Sequence, residues 1–197
     1  MSTPSPAVGA ILLTGGASRR MGFDKSGIEI DGVTLAVRTA NLLSCVVETA
    51  VEVGPGVSGL PATLEQPPGS GPLVAVAAGH RTLRERGHEG AALVIACDLP
   101  FISERLLKFL ASWDSPGSVV PVVNGRPQPL LARWGHSDLE DIGSLIGRGV
   151  RSLRHLATQP GVILLDQSQW EEVAHEREFS DVDSPGDLRR LGISDVE

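Results

Sequence analysis

A chain of 197 residues, 41% hydrophobic and 21% charged, is long enough for one domain with a sizeable core and short for two, with the composition of an ordinary globular protein. A formal net charge of −7 argues against nucleic acid or acidic membrane as a general partner, since both need a positive surface. Only two cysteines occur, Cys45 and Cys97, both inside apolar runs; this excludes a disulfide framework or a four-cysteine zinc site, and both thiols read as buried and reduced.

In chain order, Met1 to Gly9 has no positive n-region and no apolar segment fit for a signal or a bilayer span, so a loose tail and a cytoplasmic location are the default. Val8 to Leu13 has the length and composition of a buried strand. Gly15 and Gly16 let the backbone turn sharply at its end, which would aim amide N–H groups outward. Such a nest of donors binds anions, and Arg19, Arg20 and Lys25 add the charge needed to hold a triphosphate. A glycine turn followed by a solvated basic patch accounts for the same residues about as well. The glycine spacing fits neither G-x-x-x-x-G-K-S/T nor G-x-G-x-x-G, which excludes an ATPase-type phosphate loop and argues against a dinucleotide fold.

Ile28 to Gly32 reads as a short strand and turn, Thr34 to Leu43 as a first helix, and Val46 to Val53 as a second strand. Gly54 to Pro61 should be loop, and Ala62 to Glu65 a short strand closed by Gln66 to Pro72. That second glycine-rich loop opens a helix, because Pro72 suits a first turn and Leu73, Val76, Ala77 and His80 recur at helical spacing. Ala91 to Cys97 is apolar throughout, as a central parallel strand should be, with Asp98 at its end. Ser103 is placed to cap a helix carrying Leu106, Leu110 and Trp113 on one face.

Ser118 to Val123 and Pro129 to Trp134 read as strands joined through Asn124-Gly125-Arg126, with a hairpin as one arrangement. Asp138 to Ile146 and Arg151 to Ala157 follow as short helices, then Val162 to Leu165 as a strand. Ser184-Pro185-Gly186-Asp187 has capping-box spacing for a last helix to about Leu191. This alternation argues an α/β fold with a mostly parallel sheet covered on both faces, whose ligands sit beyond the C-terminal ends of the strands. His80 reads as a helix-face residue, and none of His80, His88, His136, His155 and His175 shows H-x-x-x-H or similar metal spacing, so none is assigned catalytic work.

Leu13, Gly15, Gly16, Ser18, Arg20, Met21, Gly22, Asp24 and Lys25 resemble, position for position, the L-x-G-G-x-S-x-R-M-G-x-D-K signature of the molybdenum cofactor guanylyltransferases, the MobA family of nucleotidyltransferases. Thr14 stands where that family more often has Ala. Gly69, Gly71, Pro72 and Leu73 are similar to the family's Pro/Gly loop, with Glu65 in place of its aspartate. Cys97-Asp98-Leu99-Pro100-Phe101-Ile102 resembles C-D-x-P-F/Y-I/L, and Gln128 to Ala132 resembles a segment lying toward the acceptor pocket. Asp181-Val182-Asp183-Ser184-Pro185 stands where N-x-N-T-P is common.

The resemblance implies a single three-layer α/β/α domain over residues 8–192, with a mostly parallel, Rossmann-like sheet of the nucleotide-diphospho-sugar transferase type and tails at 1–7 and 193–197. It implies transfer of GMP from GTP to molybdopterin with release of pyrophosphate, and Mg²⁺ as cofactor. Arg20, Lys25 and Asp98 would be catalytic. Leu13, Thr14, Gly15, Gly16, Arg19 and Lys25 would hold the nucleotide, together with Glu65, Gly71, Pro72 and Asp98. Asp98 would bind the metal and Asp183 would add a second oxygen, although a carboxylate just before the last helix is an equal role for Asp183. A molybdoenzyme or other cofactor-pathway protein would be the partner. The alternatives are a sister enzyme using CTP or another nucleotide on molybdopterin or a phosphorylated small molecule, and a non-catalytic nucleotide-binding subunit. Cytidylyl-transferring relatives usually have Ala-Gly in the first loop, so Gly15-Gly16 favours guanylyl transfer.

Overall fold

The apolar run that opens the chain becomes the middle of the sheet. The structure, a computed structural model, describes residues 8–15, 28–183 and 185–193. Strand β1 (Gly9–Leu13) leads to the hairpin β2 (Glu29–Ile30) and β3 (Val33–Thr34), then α1 (Leu35–Ser44), β4 (Ala50–Val53), β5 (Ala62–Thr63), α2 (Pro72–Glu85), β6 (Ala92–Ala96) and α3 (Glu104–Ala111). The second half runs β7 (Val119–Val123), β8 (Arg126–Pro127), β9 (Leu131–Trp134), α4 (His136–Gly147), α5 (Leu153–Leu156), β10 (Ile163–Leu165), α6 (Gln167–Trp170), a 3₁₀ turn (Glu176–Phe179) and α7 (Pro185–Arg190).

The main sheet has the order β10-β7-β9-β6-β1-β4-β5, with β8 paired to β7 at one side. β1 lies parallel to both β4 and β6, and β5 and β10 are also parallel to their neighbours. β9 runs antiparallel between β6 and β7, so the sheet is mixed but mostly parallel. Side chains alternate across it with the period of two that a strand imposes. Ala10, Leu12, Leu93 and Ile95 join α1, α3 and α6 in one core, while Ile11, Leu13, Ala92 and Val94 join α2, α4 and α5 in the other. Strands covered on both faces favour apolar residues at nearly every position, which is why β1 and β6 read as continuous hydrophobic runs.

Local signals set most of the helix starts. Thr34 caps α1 by accepting from the Val37 N–H, and Ser103 caps α3 by accepting from the Leu106 N–H. The expected strand from Val46 begins only at Ala50, because the N–H groups of Val46 and Val47 both return to the Leu43 carbonyl and close α1. Cys45 sits at the C-cap of that helix and is exposed, correcting its reading as a buried thiol; Cys97 is buried. The hairpin at Asn124-Gly125 joins β7 to the short β8 rather than to β9. α3 stops at Ala111, so Trp113 lies past its end and packs edge-on against Phe109, ring centroids 5.3 Å apart. The pattern also missed α6 and the 3₁₀ turn, both too short to show a period.

α2 crosses β1 and β4 at Gly79, where an added Cβ would stand 2.5 Å from Ile11 Cγ2 and 2.9 Å from Val53 Cγ2. Both contacts belong to buried, β-branched side chains that cannot swing away. Gly79→Ala should therefore destabilise the protein by about 1–3 kcal/mol despite alanine's better helix propensity. Chemical denaturation of the variant tests this, and a midpoint at or above that of the parent would show that the layer can open to admit a methyl group.

Candidate active site

β1 and β6 are neighbours in register, Leu13 beside Ala96, and the Cys97 N–H donates to the Leu13 carbonyl at 3.1 Å. The end of the first strand, where the glycine loop begins, thus stands next to the strand end that carries Asp98. Gly16, Arg19, Arg20 and Lys25 lie outside the described residues. Of the loop's early amides, those of Thr14 and Gly15 both donate to the Val53 carbonyl, at 3.1 and 3.2 Å. This corrects the expectation that the amides turn outward at Gly15, because the pairing of β1 with β4 persists two residues past the strand.

The most heavily hydrogen-bonded group beside that loop is Glu52, on β4 and fully buried. Its carboxylate accepts from the Thr14 hydroxyl, the Ser58 hydroxyl and the N–H groups of Gly56 (2.8 Å), Val57 (3.1 Å) and Ser58 (2.9 Å). Burial pushes the Glu52 carboxyl up, but the bonds from Ser58, Thr14 and Val57 outweigh it and hold the group below the ordinary carboxylate value. The result ties the loop after β4 to the loop after β1. Gly54 closes the contact: its φ is +158°, and an added Cβ would lie 1.9 Å from Thr14 Oγ1 and 2.8 Å from the Gly15 nitrogen. Sequence reasoning missed Glu52. Its signal was one acid inside the apolar run Ala50-Val51-Glu52-Val53, followed by a loop holding three glycines and a serine that donates twice. Thr14, the departure from the Ala of the motif, is a partner of that acid.

Glu65 and the second glycine loop lie beyond β5. The Gly69 N–H donates to Glu65 Oε1 at 2.8 Å, so the carboxylate braces the turn that ends in Gly71, the N-cap of α2, with Pro72 at the first helical position. The Leu73 N–H is taken by the Arg151 carbonyl at 3.2 Å, which anchors this helix start to the segment before α5.

Asp98 is half-buried, and its main-chain carbonyl accepts from the Val182 N–H at 2.9 Å, setting Asp183, which is exposed, one residue from that bond. The C-terminal segment is fastened here by contacts that no local pattern announced. Glu178, buried, accepts from the Ser103 N–H at 3.0 Å and the His175 N–H at 3.1 Å, and the Arg177 guanidinium lies 3.6 Å from the centroid of the Phe101 ring. The structure thus brings Leu13, Thr14, Gly15, Asp98 and Asp183 to the C-terminal edge of the central strands, with Glu65 and Gly71 following the neighbouring β5. A cavity of about 790 Å³ opens at the opposite end of the sheet, between Cys45, Thr49, Pro61 and Arg86. Ligands of such sheets bind beyond the strands' C-terminal ends, so that cavity is not the candidate site.

A family model described as a MobA-like NTP transferase domain matches residues 10–162. A probable molybdenum cofactor guanylyltransferase of Chloroflexus aggregans is 34% identical over 160 residues, covering 75% of each chain. Its counterpart from Bacillus cytotoxicus is 27% identical over 176 residues, covering 83% of this chain and 86% of the other. Among solved structures, the molybdopterin-guanine dinucleotide biosynthesis protein A of Archaeoglobus fulgidus superposes with a TM-score of 0.74 at 22% identity, covering 93% of this chain and 96% of that one.

Proposed function

The chain belongs to the MobA-like NTP transferase family, and from that premise we propose that it joins GMP from GTP to the terminal phosphate of molybdopterin and releases pyrophosphate. The observation that carries the reading is the Leu13–Cys97 bond, which sets the origin of the glycine loop beside the strand end holding Asp98. The names of the Chloroflexus and Bacillus relatives support the choice of nucleotide and acceptor. The cytoplasm as compartment and a molybdoenzyme as receiver of the product belong to the same proposal.

The acceptor phosphate oxygen attacks the α-phosphorus of GTP, a P–O bond forms there, and the bond to pyrophosphate breaks without a covalent enzyme intermediate. In such reactions the protein mainly positions the groups and stabilises the charge that builds on the leaving group. Gly16, Arg19, Arg20 and Lys25 hold the phosphates, with Leu13, Thr14 and Gly15 at the strand end from which that loop starts. The carboxylates of Asp98 and Asp183, on segments joined by the Val182 N–H, would hold Mg²⁺, which prefers oxygen donors. When bound, that ion neutralises phosphate charge.

Glu65, held by Gly69, reads the base above the loop that ends at Gly71 and Pro72. Guanine presents N1–H and its 2-amino group side by side, two donors for one carboxylate, whereas adenine N1 and cytosine N3 would set a lone pair against it. An unpaired buried polar group costs about 1–3 kcal/mol, roughly five- to a hundred-fold in affinity. Pyrophosphate release with molybdopterin and each nucleotide should therefore favour GTP over ATP and CTP, and Glu65→Gln should reduce that preference by a similar factor. Turnover of CTP in place of GTP by the parent protein would overturn guanylyl transfer. An unchanged preference in Glu65→Gln would move base reading to the backbone of residues 66–71.

A further inference from the structure

His136 and Glu140 stand one helical turn apart on α4, and the fold brings a third ligand to them from α2. His80, His136 and Glu140 each offer one ligand atom, and the three atoms lie within 4.8 Å of one another. His80 is only 6% exposed, and its Nε2 is buried without a hydrogen-bond partner. Glu140 Oε1 stands 3.7 Å away, beyond hydrogen-bonding range. A buried polar atom of this kind is costly unless something supplies a partner. A pocket of about 350 Å³ between the helices, lined by Ala77, Arg81, Leu139 and Gly143 beside His80 and Glu140, gives an ion access.

We propose that His80, His136 and Glu140 form a site for a divalent transition-metal ion of the zinc type, separate from the Asp98 site. Two imidazoles and one carboxylate, with a fourth position left for water, match zinc's preferred donors, whereas Mg²⁺ prefers an all-oxygen shell. His80 lies eight residues along α2 from Pro72, about 12 Å from the end that faces the nucleotide. α4 leaves β9 after Trp134, which pairs with Ala92 at the start of β6, while Asp98 follows the finish of that strand. Ligand atoms about 2.0–2.1 Å from zinc stand roughly 3.3 Å apart, so His136 and Glu140, both exposed, turn inward onto the fixed His80. Glu140 now pairs with Arg84 at 2.8 Å, a half-exposed ion pair of little worth that a metal displaces. The ion clamps α2, and with it the helix start at Gly71, to α4.

The test uses the full chain with Cys45→Ser, which removes the exposed thiol, stripped with EDTA and dialysed against Zn²⁺ in excess Mg²⁺. One Zn²⁺ per chain should be retained, and with Mg²⁺ held in excess the unfolding midpoint should rise further as Zn²⁺ is added. Losing even an outer-shell partner of a metal costs about 10- to 100-fold in affinity, so His136→Ala and Glu140→Gln should each weaken Zn²⁺ binding at least tenfold. Both residues are exposed, and the variants should fold as the parent does. Absence of bound Zn²⁺, or unchanged affinity in either variant, overturns the site.

Discussion

Glu52→Ala is expected to lower stability by about 3–5 kcal/mol, the range seen when one partner of a buried charged network is removed. The change strips the acceptor from two hydroxyls and three backbone amides, and Ser58 and Thr14 are buried where water cannot replace it. For a chain of this length the unfolding midpoint should fall by roughly 10 °C. Glu52→Gln should lie between, since one amide oxygen still accepts while its NH₂ faces the remaining donors. The folded carboxyl is held below the ordinary value of 4.5, so its contribution is complete above that pH and is lost as pH falls through the lower folded value. The gap between parent and Glu52→Gln should accordingly narrow below about pH 4.5. Calorimetry across that range checks both statements, and an alanine variant within about 2 °C of the parent would mean that the two loops hold together without the carboxylate.

Asp98→Asn should leave the fold intact and reduce turnover by about 10²–10³, the usual loss when one electrostatic contact to a reacting phosphate is removed. The Val182 N–H bonds to the main-chain carbonyl of residue 98, so the joint with the C-terminal segment survives the change of side chain. A neutral amide fills nearly the same volume but is a poor ligand for Mg²⁺. Pyrophosphate release measured against Mg²⁺ concentration is the check, with circular dichroism to show that the fold persists. Parental turnover with an unchanged Mg²⁺ requirement would transfer the role to another acid, Asp183 first.

Much of this architecture is legible in the residues alone. Gly9 to Leu13 and Ala92 to Ala96 have the length and apolar composition of strands covered on both faces, and Thr34, Pro72 and Ser103 mark helix starts through chemistry confined to a few neighbouring residues. The glycine-rich stretches and Asp98 were visible for the same reason, since a turn or a strand end is set by adjacent residues. What the tertiary structure decided depends on pairs far apart in the chain. Nothing local says that β6 rather than another apolar strand adjoins β1, or that β9 enters antiparallel between β6 and β7. Thr14 finds Glu52 across 38 residues, and Ser103 finds Glu178 across 75. His80 meets His136 and Glu140 because α2 and α4 share one face of the sheet. Periodicity records which side of an element is buried; which element buries it is settled only when the whole sheet closes its hydrogen bonds and both cores fill.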